Sequence, residues 1–190
     1  MPTPPEPLTC NDLKDPAGRV YLAAGSRHGD RETCMREALR RLEELGVRVC
    51  RVSSLYETEP VGLPGPETLL NGVFEAAAAP PPRELLSACL AVEKRMGRRR
   101  ELGPLAHRPI DLDILLYGDR VMTGPDLTLP HPRLHRRRFV LVPLVEIAPE
   151  ARHPLLSRTA AELLASCEDT ARVQRWAPPE SWFEVDSRIR

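Results

Sequence analysis

RPIDLDILLYG, residues 108–118, is the stretch on which the fold and the chemistry both turn. Asp111 and Asp113 interrupt a run of isoleucine and leucine, and such a run predicts a strand in the core. Residues i and i+2 of a strand face the same side, about 6.6–6.8 Å apart. Two carboxylates projecting from one face of a core element repel each other and resist desolvation unless a cation neutralises them. That predicts a divalent metal site, with a spacing that suits even two ions about 3.5–4 Å apart. The same letters also fit a half-wet strand of an antiparallel sheet, with Leu112 and Ile114 alternating inward.

Upstream of this strand, RVYLAAGS (19–26) predicts a short strand ending at Gly25-Ser26. Residues 30–45 predict a helix with Asp30 as N-cap, Gly46 as C′ residue, and Met35, Leu39, Leu42 and Leu45 as its apolar stripe. VRVCRVSSLYETEPVG (47–62) carries a strand pattern with a slip of one residue, the signature of a bulge. Residues 62–68 predict a loop, 69–79 a strand, and 83–96 a second helix. Downstream, FVLVPLVEIAP (139–149) predicts a helix either broken by Pro143 or entered there. Thr159 and Glu162 predict a capping box opening a last short helix over 159–167.

The order strand, helix, strand, strand, helix, strand is that of the ferredoxin-like split βαβ arrangement. It predicts an α+β fold, an antiparallel sheet with helices on one face, plus additional C-terminal helices. Proline-rich residues 1–18 read as a disordered tail, residues 19–168 as one domain, and 169–190 as a C-terminal tail docking through Trp176, Trp182 and Phe183.

Lysines and arginines together number 27, as do aspartates and glutamates, so the formal net charge is zero. No global field draws the chain to nucleic acid or membrane. The five cysteines are scattered without a CxxC pair, which suggests reduced thiols and a cytoplasmic setting. No apolar run reaches the length of a membrane span.

Local charge is more informative. Arg95, Arg98, Arg99, Arg100 and Arg108 bracket the loop before the acid pair, and Arg133, Arg136, Arg137 and Arg138 crowd another loop. Arginine forks match phosphate oxygens in a bidentate way. His131 sits between Pro130 and Pro132, and Gly25-Ser26 ends a strand where backbone can approach a ligand. The chain lacks GxxxxGK[ST] and the protein-kinase motifs, so phosphoryl chemistry would depend on metal at the acid pair and arginines from loops.

AAGS (23–26), VSSLYETEPVG (52–62), LNGV (70–73), GRRR (97–100), RPIDLDILLYG (108–118), LPHPRL (129–134) and RRFVLVPLVEIAP (137–149) together resemble the 6-hydroxymethyl-7,8-dihydropterin pyrophosphokinases of folate biosynthesis. The resemblance spans roughly residues 19–167, in the family's order. It implies transfer of pyrophosphate from ATP to the pterin hydroxymethyl group, with release of AMP. Carried over residue by residue, it implies that Asp111 and Asp113 hold two Mg²⁺ ions and that Arg98 and Arg100 clamp phosphates. Arg108, Arg137 and His131 would meet the nucleotide, with Glu93, Ile114 and Thr128 nearby. Asn71 would bond the pterin edge, helped by Thr58 and Val61, and Phe139 would stack on its ring. The implied partners are small molecules rather than nucleic acid or membrane, and the chain is expected as a monomer or weak homodimer.

Three positions depart from the family pattern. Arg27 stands where asparagine is usual, Leu69 where an aromatic is common, and Leu105 where some members carry tryptophan. They imply weaker pterin binding with the chemistry retained. Two other classes remain: a non-catalytic ferredoxin-like nucleotide-binding module, and an RNA-binding domain. The intact acid pair and arginines count against the first. Few aromatics and zero net charge count against the second.

Overall fold

The computed structural model describes residues 18–60, 68–98 and 109–183. The expected N-terminal tail up to residue 17, Val61 and its loop to residue 67, and Arg99, Arg100, Leu105 and Arg108 lie outside the described residues, as do residues 184–190.

Strand β1 (Val20–Ser26) leads to helix α1 (Arg31–Glu44), followed by β2 (Arg48–Val52), β3 (Leu55–Thr58) and β4 (Leu69–Ala78). Helix α2 (Pro82–Arg95) and β5 (Asp111–Tyr117) complete the split βαβ core. The sheet runs β10-β3-β4-β1-β5, where β10 is Val173–Ala177, and β2 continues along the β4 edge that β3 occupies. Every pairing in it is antiparallel.

Local chemistry explains the early elements. The Asp30 carboxylate accepts from the Thr33 amide at 3.1 Å, and Gly46 ends α1 with φ of +86°. Pro82 opens α2, where its missing N–H costs nothing. The segment expected as one bulged strand forms two. Ser53 and Ser54 separate β2 from β3, and β2 shifts register twice against β4.

Helices cover both faces of the sheet: the two helices of the split βαβ core share one, as expected, and the additional C-terminal helices take the other. Met35, Leu39 and Leu42 of α1 and Leu85, Cys89 and Val92 of α2 pack with Leu22, Ala24 and Phe74. On the opposite face Val140, Leu141, Leu144 and Ile147 of α3 (Arg138–Ile147) pack with Tyr21, Val73 and Leu115. Leu163 of α4 (Ala160–Ala165) joins that second core, and α4 opens on the predicted Thr159–Glu162 capping box. Pro143 lies inside α3 rather than breaking or starting it. A proline there costs roughly 3 kcal/mol, and the four apolar anchors of α3 offset it.

The segment expected as a docked tail extends the sheet through β10 and buries Trp182 completely. Phe183 is also buried, whereas Trp176 is half exposed. Cys50 is disulfide-bonded, while Cys34, Cys89 and Cys167 are free thiols. The expectation of wholly reduced cysteines is therefore corrected at Cys50: pairing depends on tertiary approach, which scattered positions do not reveal. No helix among the described residues is long and apolar enough to cross a membrane.

Candidate active site

Strand register assembles the site. Gly25 of the central strand β1 pairs with Asn71 on one side and Asp111 on the other, and Ala23 pairs with Val73 and Asp113. Directly paired residues share a face, so Asn71, Gly25, Asp111 and Asp113 all look towards the α3 layer. With strands about 4.8 Å apart, Asn71 and Asp111 stand roughly 10 Å apart across a floor of small residues. Gly25 is required there, because a Cβ would lie 2.8 Å from the Asn71 side-chain oxygen. The Ser26 hydroxyl donates to the Pro109 carbonyl at 2.7 Å and ties the end of β1 to the entry of β5.

The carboxylates are not buried as the apolar run suggested. Asp111 and Asp113 are 34% and 41% exposed at the side chain, while Leu112 and Ile114 turn into the core. The half-wet alternation describes the strand. It leaves two carboxylates side by side in an open cleft, each beside cationic side chains.

Glu93 is almost completely buried near the end of α2, and its Oε1 accepts from the Leu112 amide at 2.9 Å. The same oxygen pairs with Arg98, whose guanidinium also binds Asp111. Glu93 thus anchors both the start of β5 and the arginine that neutralises the first carboxylate. Asp113 has Arg137 Nη1 at 3.7 Å and His131 Nε2 at 3.9 Å. Partial desolvation within the cleft, then the Asp111 charge, push the Asp113 carboxyl upward, against the pull of Arg137 and Arg98. The Arg137 guanidinium lies 5.4 Å from the Phe139 ring centroid, in the first turn of α3.

His131 is held neutral. Burial, then the Arg137 and Arg133 charges, push its pKa down to about 4. Its Nδ1 accepts from the Arg133 amide at 3.1 Å, so the ring proton sits on Nε2, on the side of Asp113. At the far end of the floor, the Asn71 amide donates to the Thr58 hydroxyl at 2.7 Å, and both residues are buried. Leu69 pairs with Thr58 on the same face and is partly exposed.

Beyond β5, a cavity of about 760 Å³ opens between α2 and the hairpin of β6 (Met122–Thr123) and β7 (Thr128–Leu129). Ile114, Thr128, His131 and Asp113 line it, together with Arg83, Leu86 and Leu90 of α2. Its volume suits a small-molecule ligand. The helix residues of this wall escaped the sequence reading. Arg83, Leu86 and Leu90 recur at helical spacing, but nothing local says that their face meets a hairpin 40 residues downstream.

Comparisons with known proteins show the family to which the chain is related. The family model for 7,8-dihydro-6-hydroxymethylpterin-pyrophosphokinase (HPPK) matches residues 21–149. A 2-amino-4-hydroxy-6-hydroxymethyldihydropteridine pyrophosphokinase of Bacillus subtilis is 44% identical over 131 residues, covering 67% of this chain and 77% of that protein. The protein of the same name from Aquifex aeolicus is 39% identical, covering 75% and 88%. A folate synthesis bifunctional protein of Arabidopsis thaliana is 41% identical over 67% of this chain, which spans 26% of that longer protein. A structure of Plasmodium falciparum HPPK-DHPS with pteroate superposes with a TM-score of 0.62 at 14% identity, over 77% of this chain and 44% of that one. That likeness bears on the fold.

Proposed function

The chain belongs to the 7,8-dihydro-6-hydroxymethylpterin-pyrophosphokinase family, and from that premise we propose that it transfers pyrophosphate from ATP to the hydroxymethyl group of 6-hydroxymethyl-7,8-dihydropterin in folate biosynthesis. The pterin hydroxyl oxygen bonds to the β-phosphorus as the bond from that phosphorus to the α–β bridging oxygen breaks. AMP leaves, and the hydroxyl proton passes to solvent.

The observation that carries this reading is the register Asn71–Gly25–Asp111 across three strands. It sets a buried amide and a carboxylate pair on one face with nothing bulky between them. Thr58 holds one amide hydrogen of Asn71. An amide has a second hydrogen and a carbonyl oxygen to offer the pterin edge. Leu69 and Phe139 supply apolar cover for a flat ring.

At the other end, Asp111 and Asp113 would hold two Mg²⁺ ions. Among the described residues no group of three or more His, Cys, Asp or Glu side chains gathers as a metal cage. Two carboxylates suit an ion that takes its remaining oxygens from phosphate and water. When bound, such ions offset the charge of the triphosphate. Arg98 and Arg137, each already beside one carboxylate, would turn to phosphate oxygens, and neutral His131 would donate from Nε2. Arg100, Arg108 and Val61 complete the proposed set by family resemblance. The cavity lined by Ile114 and Thr128 would take the nucleoside.

Such a site works by positioning and charge stabilisation rather than by a strong base. A monomer or weak homodimer in a cytoplasmic setting, with ATP as co-substrate, completes the proposal. The test is AMP release from ATP in Mg²⁺, with and without the hydroxymethyl dihydropterin. AMP that depends on pterin is expected, and its absence overturns the reading.

A further inference from the structure

Trp182 lies well beyond residues 21–149, the part matched by the family model, yet it is fully buried. Its indole N–H donates to the Ser53 carbonyl at 2.8 Å, and its ring meets Phe74 edge-on with centroids 6.4 Å apart. The ring also lies flush against Gly72. A Cβ at Gly72 would stand 2.7 Å from Cζ2 and 2.9 Å from Cη2 of the indole.

Gly72 follows Asn71 on β4. Side chains alternate along a strand, so Asn71 faces the site while Gly72 faces the α1/α2 layer, where Trp182 sits. The indole therefore presses on the back of β4 immediately behind the Asn71 amide. The same C-terminal segment also supports that amide from the side. Val173 of β10 pairs with Thr58, whose hydroxyl accepts from Asn71. Arg36 of α1 donates to the Ser181 carbonyl at 2.6 Å and pins the turn that carries Trp182.

We propose that residues 173–183 form a backing for the pterin-binding amide, and that Trp182 is a positioning residue that sets Asn71 through its contact with Gly72. The proposal rests on the reading of Asn71 as the amide that bonds the pterin. Trp182 touches no substrate. Its influence falls on pterin and spares ATP, because the contact lies directly behind Asn71 on β4, whereas Asp111 and Asp113 stand two strands away on β5, whose start Glu93 anchors.

Three variants test this: Gly72→Ala, Trp182→Phe, and the two combined. Ordinary contact begins at 3.4 Å, so the Gly72→Ala methyl obliges ring or strand to yield about 0.7 Å. Displacements of that order are worth roughly tenfold or more at a positioned group. Gly72→Ala is expected to raise the pterin KM roughly tenfold while kcat and the ATP KM stay within about threefold. Phenylalanine at 182 lacks the six-membered indole ring that collides. The double variant should therefore return the pterin KM to within about threefold of the parent, the coupling expected of residues in contact. A purely structural role would lower the melting temperature without this selective rise and rescue.

The Asn71 side-chain amide pair in a ¹⁵N–¹H spectrum reads the same displacement with no turnover at all. It should shift in Gly72→Ala and return in the double variant. Equal rises in both KM values, a double variant no better than Gly72→Ala, or an unmoved Asn71 signal each overturn the proposal. A parent protein that forms no AMP with pterin would overturn the proposed function instead, and the amide signal would still decide the role of Trp182.

Discussion

Replacing Asp113 with asparagine separates what this carboxylate does to the fold from what it does for the ligand. In the metal-free protein its charge is a burden. Partial desolvation comes first and the Asp111 carboxylate second in pushing its pKa above the ordinary 3.8, with Arg137 opposing. At a strand spacing of about 6.7 Å, two unit charges repel by roughly 0.6 kcal/mol in water and roughly 2.5 kcal/mol at an effective dielectric constant of about 20. The side chain is 41% exposed and Arg137 stands 3.7 Å away. Solvent screening and the lost attraction to Arg137 both reduce the gain, to about 0.5–1 kcal/mol. For a chain of this size that is a rise of about 1–4 °C in Tm.

The pH dependence has a definite sign. A raised pKa means that the folded state binds the proton more tightly than the unfolded one, so stability falls as pH climbs from 3.8 through the raised value. The benefit of asparagine therefore appears at neutral pH and vanishes below 3.8. Activity moves the other way. Losing one preorganised charge at the reacting phosphates costs about 10²- to 10³-fold in turnover. Thermal melts in EDTA at pH 7.5 and pH 3.5, and AMP formation in Mg²⁺, measure the two effects. A lower Tm for Asp113→Asn at pH 7.5 in EDTA, or turnover within tenfold of the parent, would refute the reasoning.

The remaining predictions concern the two ends of the cleft. Gly25→Ala places a methyl 2.8 Å from the Asn71 oxygen, so the pterin KM should rise about tenfold with an unchanged ATP KM; equal changes in both would contradict the geometry. Asn71→Ala should weaken pterin binding by roughly ten- to a hundredfold in calorimetry, and unaltered affinity would remove Asn71 from the site. Arg98→Ala should lower kcat by about 10²-fold while pterin affinity changes little, since Arg98 lies beside Asp111 and not beside Asn71. Leu69→Phe should tighten pterin by about two- to tenfold, the value of an added aromatic contact; weaker binding would show that Leu69 does not cover the ring.

The elements set by local chemistry were legible. Asp30, Gly46 and the Thr159–Glu162 box are all helix ends written within a turn of themselves. The misread places depend on partners far along the chain. Ser53 and Ser54 break a strand because the Ser53 amide bonds the Val73 carbonyl and Glu146 receives both the Ser54 amide and its hydroxyl. Pro143 stays inside α3 because that helix has a core to pack on. VQRWA became β10 because β3 offered an open edge, although its own residues show no buried alternation. At the site the residue types were readable, but the Glu93–Arg98–Asp111 contact was not. The half-exposure of the acid pair was one of two readings that the run of aspartate, leucine and isoleucine allowed, and only the fold chose between them.

The AAGS stretch of β1 explains why this arrangement sits in the middle of a sheet. Transfer between two bound molecules gains most when both are held against one rigid frame. β1 is paired on both sides over its length, to β4 and to β5, so the amide end and the carboxylate end share one ladder of hydrogen bonds. The side chains that β1 itself sends into the cleft must then be small, or they would occupy the space in which the hydroxymethyl group meets the phosphate. Ala23 and Gly25 satisfy that requirement. The departure at Leu69 falls outside this frame, on the wall beside Thr58, while Arg27 follows the end of β1. Substitution at Leu69 therefore tunes how firmly pterin is held and leaves the alignment of the reacting atoms to β1.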